Sequence, residues 1–218
     1  HSDASLDRFL RAFPTLEEAA ERLALYNKFV ADYGLQDCWP EAKKVMDAGI
    51  ELFDPSVVDR EGRSVVLVKP GNFLPPHFTG LECIRGLFFA LDFLTHEADA
   101  SSKGWVFMCD FAGYSMLQNF DFTVLTNFRK MLKMFQGVMP TTLKAVLSLN
   151  TSTATDAIAR LTLPLMGPLG QILHYVSAQE LFETWLPIES VPISFGGTRE
   201  VDWERLSARC AAWGAENR

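Results

Sequence analysis

Leu6, Phe9, Leu10 and Phe13 recur at helical spacing, and the pattern resumes at Leu16, Ala19, Ala20, Leu23, Tyr26 and Val30. Two helices are predicted, the second capped by Thr15 with Glu18 three residues on, a capping-box spacing. Gly34 closes that helix and Pro40 lies beyond it. Residues 41–63 are polar and mixed; one short helix over 42–48 is predicted there, followed by Asp-Pro and Glu-Gly turns. SVVLVK, from Ser64 to Lys69, is the first clear strand, β-branched and closed by Pro70-Gly71. From Leu81 to His96 the apolar positions Leu81, Ile84, Leu87, Phe88, Leu91 and Leu94 mark a helix buried on a wide face. The run from Gly104 to Asp110 is almost wholly apolar, as a strand covered on both sides should be. Residues 121–136 then place Phe122, Leu125, Phe128, Leu132 and Phe135 on one helical face, and KAVLSLN from Lys144 to Asn150 is a third strand. A helical stretch over 155–165, a strand over 172–177 and a helix over 178–185 follow. Strand and helix alternate from 64 to 185, which predicts an α/β fold: a mixed, largely parallel sheet flanked by helices, behind a small N-terminal helical lobe.

Composition narrows the function. The 218 residues, 48% of them hydrophobic, can bury a large core without metals or disulfides. A net charge of −7 and a pI near 5.1 argue against a protein whose main business is nucleic acid, whose phosphates need Lys and Arg. Cys38, Cys83, Cys109 and Cys210 lie far apart, so neither a zinc site nor a disulfide framework is expected, and a reducing, cytoplasmic compartment is the default. The longest uncharged apolar run, Leu161 to Leu173, is too short to span a bilayer and is broken by Pro164, Gly167, Pro168 and Gly170. Opening on His1-Ser2, the chain reads as a piece of something longer.

One stretch, GWVFMCDFAGYSMLQNF from Gly104 to Phe120, invites an enzymatic reading, because a strand running through Gly-x-Ser into a helix is the path of a nucleophile elbow. The elbow's second glycine is replaced by Leu117, and the one histidine downstream, His174, falls inside a predicted strand. Cys109 within a buried strand is an inert thiol, no glycine-rich phosphate loop follows a strand, and His77 and His96 read as packing or surface residues. No catalytic residue, cofactor or metal is expected.

The order of the pieces resembles the CRAL-TRIO lipid-binding family. SLDRFLRAFPTLEEAAERL, GWVFMCDFAGYS, a helix ending in Pro140, LKAVLSLN and VPISFGGT carry the resemblance across most of residues 3–198, and GYSMLQ with RKMLKMFQGVMP is most similar to its retinaldehyde-binding and tocopherol-transfer branch. The resemblance implies an N-terminal helical lobe over 1–48, a lipid-binding domain over 49–200 and a C-terminal helix over 201–218. It implies a cavity for one lipophilic ligand, a mobile amphipathic gate and no chemistry on the ligand. The residue before the Asp-x-x-Gly aspartate, here Cys109, is expected to face the pocket with Phe107 and Phe111, joined by Val146, Ser148 and Asn150 from the next strand. Met116, Gln118, Leu125, Phe128 and Leu132 are the expected ligand contacts on the intervening segments, and Ile158, Leu161 and Leu165 those on the gate. Ordinary core packing is the competing reading of every one of these positions, and a plain buried helix that of the gate.

Phosphatidylinositol-transfer members carry an acidic residue after the proline that ends the long helix and a lysine opening the strand after the gate; Thr141 and Gln171 stand there in this chain. A neutral ligand is therefore expected: a retinoid, tocopherol, sterol, carotenoid or acyl lipid. Arg129, Lys130, Lys133 and Lys144 are a candidate patch for anionic lipid, or simply a solvated face. The expected protein is a cytoplasmic, monomeric carrier, peripheral on membranes, that transfers its ligand between them. The rival is a docking module of a larger protein whose cavity is self-filled or used for phospholipid sensing.

Overall fold

The computed structural model describes residues 3–97, 99–121, 131–153, 155 and 167–216. Helices α1 (Asp3–Ala12), α2 (Leu16–Tyr33) and α3 (Trp39–Asp47) come first. The cap of α2 is the one its sequence encodes: Thr15 Oγ1 accepts from the Glu18 N–H at 3.2 Å, and Gly34 ends the helix at φ 62°, a left-handed geometry that glycine adopts freely.

Strands β1 (Glu51–Val58) and β2 (Ser64–Val68) follow, then α4 (Gly80–Glu97), α5 (Ala100–Lys103), β3 (Trp105–Asp110), α6 (Met116–Asn119) and β4 (Leu143–Leu149). Strand β5 (Leu173–Tyr175) is shorter than the 172–177 expected; α7 (Ala178–Glu180) runs into a π turn over Leu181–Trp185, and α8 (Trp203–Glu216) closes the described chain. A second π turn, Met134–Val138, precedes β4. The five strands form one sheet in the order β1-β2-β3-β4-β5, with β1 antiparallel to β2 and every other pair parallel. The expected α/β architecture is thus the one observed.

Strand β1 corrects the reading of residues 41–63 as helix and turns alone. Asp54-Pro55 is not a turn between elements but an irregularity within an edge strand, where the register with β2 shifts between Phe53 and Val58. An edge tolerates a residue without an N–H, because that side of the strand has no partner to lose. Asp54 fills the gap, accepting from the Ser56 N–H at 2.9 Å and pairing with Arg199 at 3.1 Å.

The N-terminal helices are bolted to α4 by a buried polar cluster. Arg8 Nη1 donates to Asp92 at 2.7 Å and to Thr95 Oγ1 at 2.9 Å, and the Tyr26 hydroxyl donates to the same Asp92 oxygen at 2.9 Å. Burial works against the Arg8 charge, yet Asp92 and Tyr26 together hold its pKa above the ordinary guanidinium value. Around the cluster, the Phe9 and Phe88 rings lie 5.6 and 5.8 Å from that of Tyr26. On α8, Trp213 meets Phe89 and Phe93 of α4 edge-on at 5.0 and 5.8 Å.

Candidate ligand site

Register assigns each sheet residue to a face, because partners across a ladder point the same way. One transverse row runs Phe53, Val66, Phe107, Val146, Leu173; the next row on that face runs Glu51, Val68, Cys109, Ser148, Tyr175. The reverse face carries Leu52, Leu67, Met108, Leu147 and His174. Helix α4 lies on the first face. Phe53 packs 5.8 and 6.1 Å from Phe89 and Phe93, and Gly86 comes so close that a Cβ there would stand 2.8 Å from Glu51 Oε2.

The two faces pack differently. On the reverse face Leu67, Met108 and Leu147 are 0% exposed, whereas Phe107, Cys109, Val146 and Ser148 keep 9, 8, 7 and 7% of their surface. The packing over these four is thus looser than over their neighbours Leu67, Met108 and Leu147 on the reverse face. The floor so defined is an apolar row, Phe107 and Val146, bordered by a row with a carboxyl, a thiol, a hydroxyl and a phenol at four of its five places. That polar row lies toward the carboxyl ends of the parallel strands, the side on which open α/β sheets bind ligands.

Four of the residues expected to contact a ligand are therefore brought together: Phe107, Cys109, Val146 and Ser148. Leu132 is also buried. Phe111 lies just past β3, half-buried against Tyr114 at 5.7 Å. Three of the expected contacts lie apart from this floor. Met116 and Gln118 are exposed on α6, and Asn150 is exposed at φ 51° with its amide donated to Asp110 at 2.8 Å. The short helix turns its other side inward, leaving Leu117 98% exposed and Asn119 buried. Leu125, Phe128, Ile158, Leu161 and Leu165 lie outside the described residues, as do Arg129 and Lys130; Lys133 and Lys144 are exposed.

Asn119 was passed over in the sequence, yet it fixes the turn after β3. Its amide donates to the Gly71 and Phe73 carbonyls at 2.9 and 2.8 Å, and its oxygen accepts from the Ser115 N–H at 2.7 Å. Gly71 allows that contact, since a Cβ at 71 would lie 2.6 Å from the Ala112 carbonyl. Within the same turn Asp110 accepts from the Ala112 N–H at 3.0 Å.

Electrostatics keep the floor uncharged. Burial, then Glu51 and Asp110, pushes the Cys109 thiol up to about 12, so it stays protonated. Burial likewise holds the Glu51 carboxyl well above the usual carboxylate range, and Glu51 Oε2 is sealed from solvent with no hydrogen-bond partner. Glu51 is the other residue the sequence reading missed, because it lies in the strand that reading did not place. His174 sits on the reverse face, its ring 4.8 Å from that of Trp185. Thr141 is buried and donates its hydroxyl to the Ala100 carbonyl, while Gln171 is exposed. Among the described residues no cluster of His, Cys, Asp and Glu could hold a metal, and no helix is long and apolar enough to cross a membrane.

The CRAL/TRIO domain model matches residues 55–197. Relatives described as "Alpha-tocopherol transfer protein-like", from Mus musculus and Homo sapiens, are each 25% identical over 208 residues, covering 90% of this chain and 58% of their own length. The chain thus spans little more than half of those relatives. A crystal structure of Sfh5 superposes with a TM-score of 0.58 at 14% identity, covering 94% of this chain and 74% of that one, which shows a shared fold. The domain model covers well over half of the chain, and the chain belongs to the CRAL/TRIO domain family, as its sequence led one to expect.

Proposed function

We propose that this chain is a carrier that holds one neutral lipophilic molecule over the Phe107 and Val146 floor and exchanges it at membrane surfaces. The observation that supports this most is the residual exposure shared by Phe107, Cys109, Val146 and Ser148 at the centre of one sheet face, in a family of lipid-binding and transfer proteins. Names of relatives point to tocopherol-like ligands; retinoids, sterols, carotenoids and acyl lipids share the required chemistry, a large apolar body with little charge. Thr141 and Gln171 offer no charge pair for an inositol headgroup, which weighs against phosphatidylinositol bound head-first. Cys109 and Ser148 are the floor's polar contacts in this reading, joined by Leu132; Leu125, Phe128, Ile158, Leu161 and Leu165, the further contacts the family resemblance implies, lie outside the described residues. The gate, its membrane contact and a basic patch at Arg129, Lys130, Lys133 and Lys144 belong to the same proposal.

A docking module with a self-filled cavity is the second reading. Its support is the bulk on the floor, where the Trp105 and Phe107 rings meet edge-on at 5.8 Å. Uptake from vesicles carrying tocopherol or retinol separates the two. The carrier reading expects one molecule bound per chain and loss of most of it in Val146→Trp, which fills the floor. Failure of the unaltered protein to take up any neutral lipid refutes it.

A further inference from the structure

Glu51 is a buried acid in a row that should tolerate none. The row Glu51, Val68, Cys109, Ser148, Tyr175 crosses all five strands, and its two ends differ: Glu51 is 4% exposed and Tyr175 48%, with half-buried Val68 and buried Cys109 and Ser148 between them. One end of the floor is thus closed and the other open. The closed end is capped by α4 at Gly86, where a Cβ would stand 2.8 Å from Glu51 Oε2 and 2.6 Å from Val45 of α3. The charged or titratable groups that act on this corner are few: Cys83 on α4 and Cys109 on β3 are the two whose thiols feel Glu51.

An ionised carboxylate with no cation or N–H beside it is too costly to bury, so the group there is a carboxylic acid. Its Oε2 is buried with no hydrogen-bond partner, so the donor or acceptor capacity of that atom is unspent. Buried polar groups nearly always find partners, and one that does not has a role to be named. At the blind end of an apolar floor, a donor and an acceptor on adjacent atoms match an alcohol, whose hydroxyl accepts from the acid and donates back to it. A hydrocarbon leaves that capacity unmet, and a fatty acid would first have to give up its charge to enter.

We propose that Glu51 is the specificity-determining residue for the hydroxyl end of an uncharged lipid, which enters polar end first and leaves its apolar chain along Phe107 and Val146 toward the open side at Tyr175. The inference rests on the carrier reading and adds to it an anchor, an orientation and a ligand class. Glycine at 86 then has a purpose beyond helix packing: any side chain there would cover the acid.

Tetradecanol and tetradecane, supplied together in detergent micelles and quantified by gas chromatography of the gel-filtered, extracted protein, test it. The unaltered protein should prefer the alcohol by about tenfold or more, the discrimination of one buried hydrogen-bonded group. Glu51→Leu should take up both equally, and Glu51→Gln, which keeps a donor and an acceptor, should retain most of the preference. Equal uptake by the unaltered protein, or a preference that survives in Glu51→Leu, overturns the assignment while leaving the carrier reading standing. Uptake of neither compound overturns both. Should Glu51→Leu not fold, infrared difference spectra decide: the carboxylic acid C=O stretch shifts when tetradecanol binds and not when tetradecane binds, and is missing from Glu51→Gln. A band that ignores the alcohol refutes the anchor.

Discussion

Replacing Glu51 by glutamine should stabilise the protein, and by an amount that grows with pH. The carboxyl is buried, and burial raises its folded-state pKa well above the value of 4.5 it has when the chain unfolds. Between those two pKa values the unfolded chain has released a proton that the folded chain still holds. Folding must therefore take that proton back, and stability falls as pH rises through this window. Below 4.5 both states are protonated and the penalty vanishes. The slope is that of one proton, about 1.4 kcal/mol per pH unit. Glutamine carries no such proton, so the advantage of Glu51→Gln should be small at pH 4.5 and widen by about 1.4 kcal/mol for each unit above it, until the folded-state pKa is reached. For a chain of this size that slope corresponds to about 3 °C in Tm per pH unit. Urea denaturation of both proteins at pH 5, 6 and 7 gives the comparison directly. Parallel stability curves, with the variant offset by a constant amount, would refute the claim that Glu51 is buried and protonated.

Other expectations test the scaffold. Asp92→Ala removes the carboxylate that Arg8 and Tyr26 share and strands a buried guanidinium, so it should cost about 3–5 kcal/mol in urea unfolding and loosen α1 and α2 from α4. Asn119→Ala leaves the Gly71 and Phe73 carbonyls without their donor and should cost about 1–3 kcal/mol; hydrogen exchange should quicken in the turn after β3. Gly71→Ala drives a Cβ onto the Ala112 carbonyl and should cost a similar ~1–3 kcal/mol, measurable as a lowered Tm. Cys109, with its pKa pushed up to about 12 by burial, should resist iodoacetamide at pH 8 in the folded protein and react once the chain is unfolded in urea.

Much of this fold is written in local patterns. The cap at Thr15, the αL closure at Gly34 and the helix over Gly80–Glu97 follow from residue type and spacing, because each is settled by hydrogen bonds or packing within a few turns. Three parallel strands were equally plain, being continuous apolar runs bounded by Gly, Pro or polar turns. Strand β1 was not, since its defining contacts are with β2 and its Asp54-Pro55 imitates a turn that the edge register shift absorbs. The site follows the same division. Alternation along β3 and β4 placed Phe107, Cys109, Val146 and Ser148 on one face correctly. It does not reach past the strand ends, where Asn150 turns at φ 51° toward Asp110, and α6 rotates Met116 and Gln118 outward while Asn119 pins the loop. Which side of a four-residue helix faces inward depends on those tertiary hydrogen bonds, and no periodicity so short can announce it.

Organic extraction of the purified protein, followed by mass spectrometry, tests the central claim most directly. The account predicts an uncharged, oxygen-bearing lipid at close to one molecule per chain, depleted in Val146→Trp. Protein that extracts clean, and that still binds no neutral lipid after incubation with loaded vesicles, would contradict it.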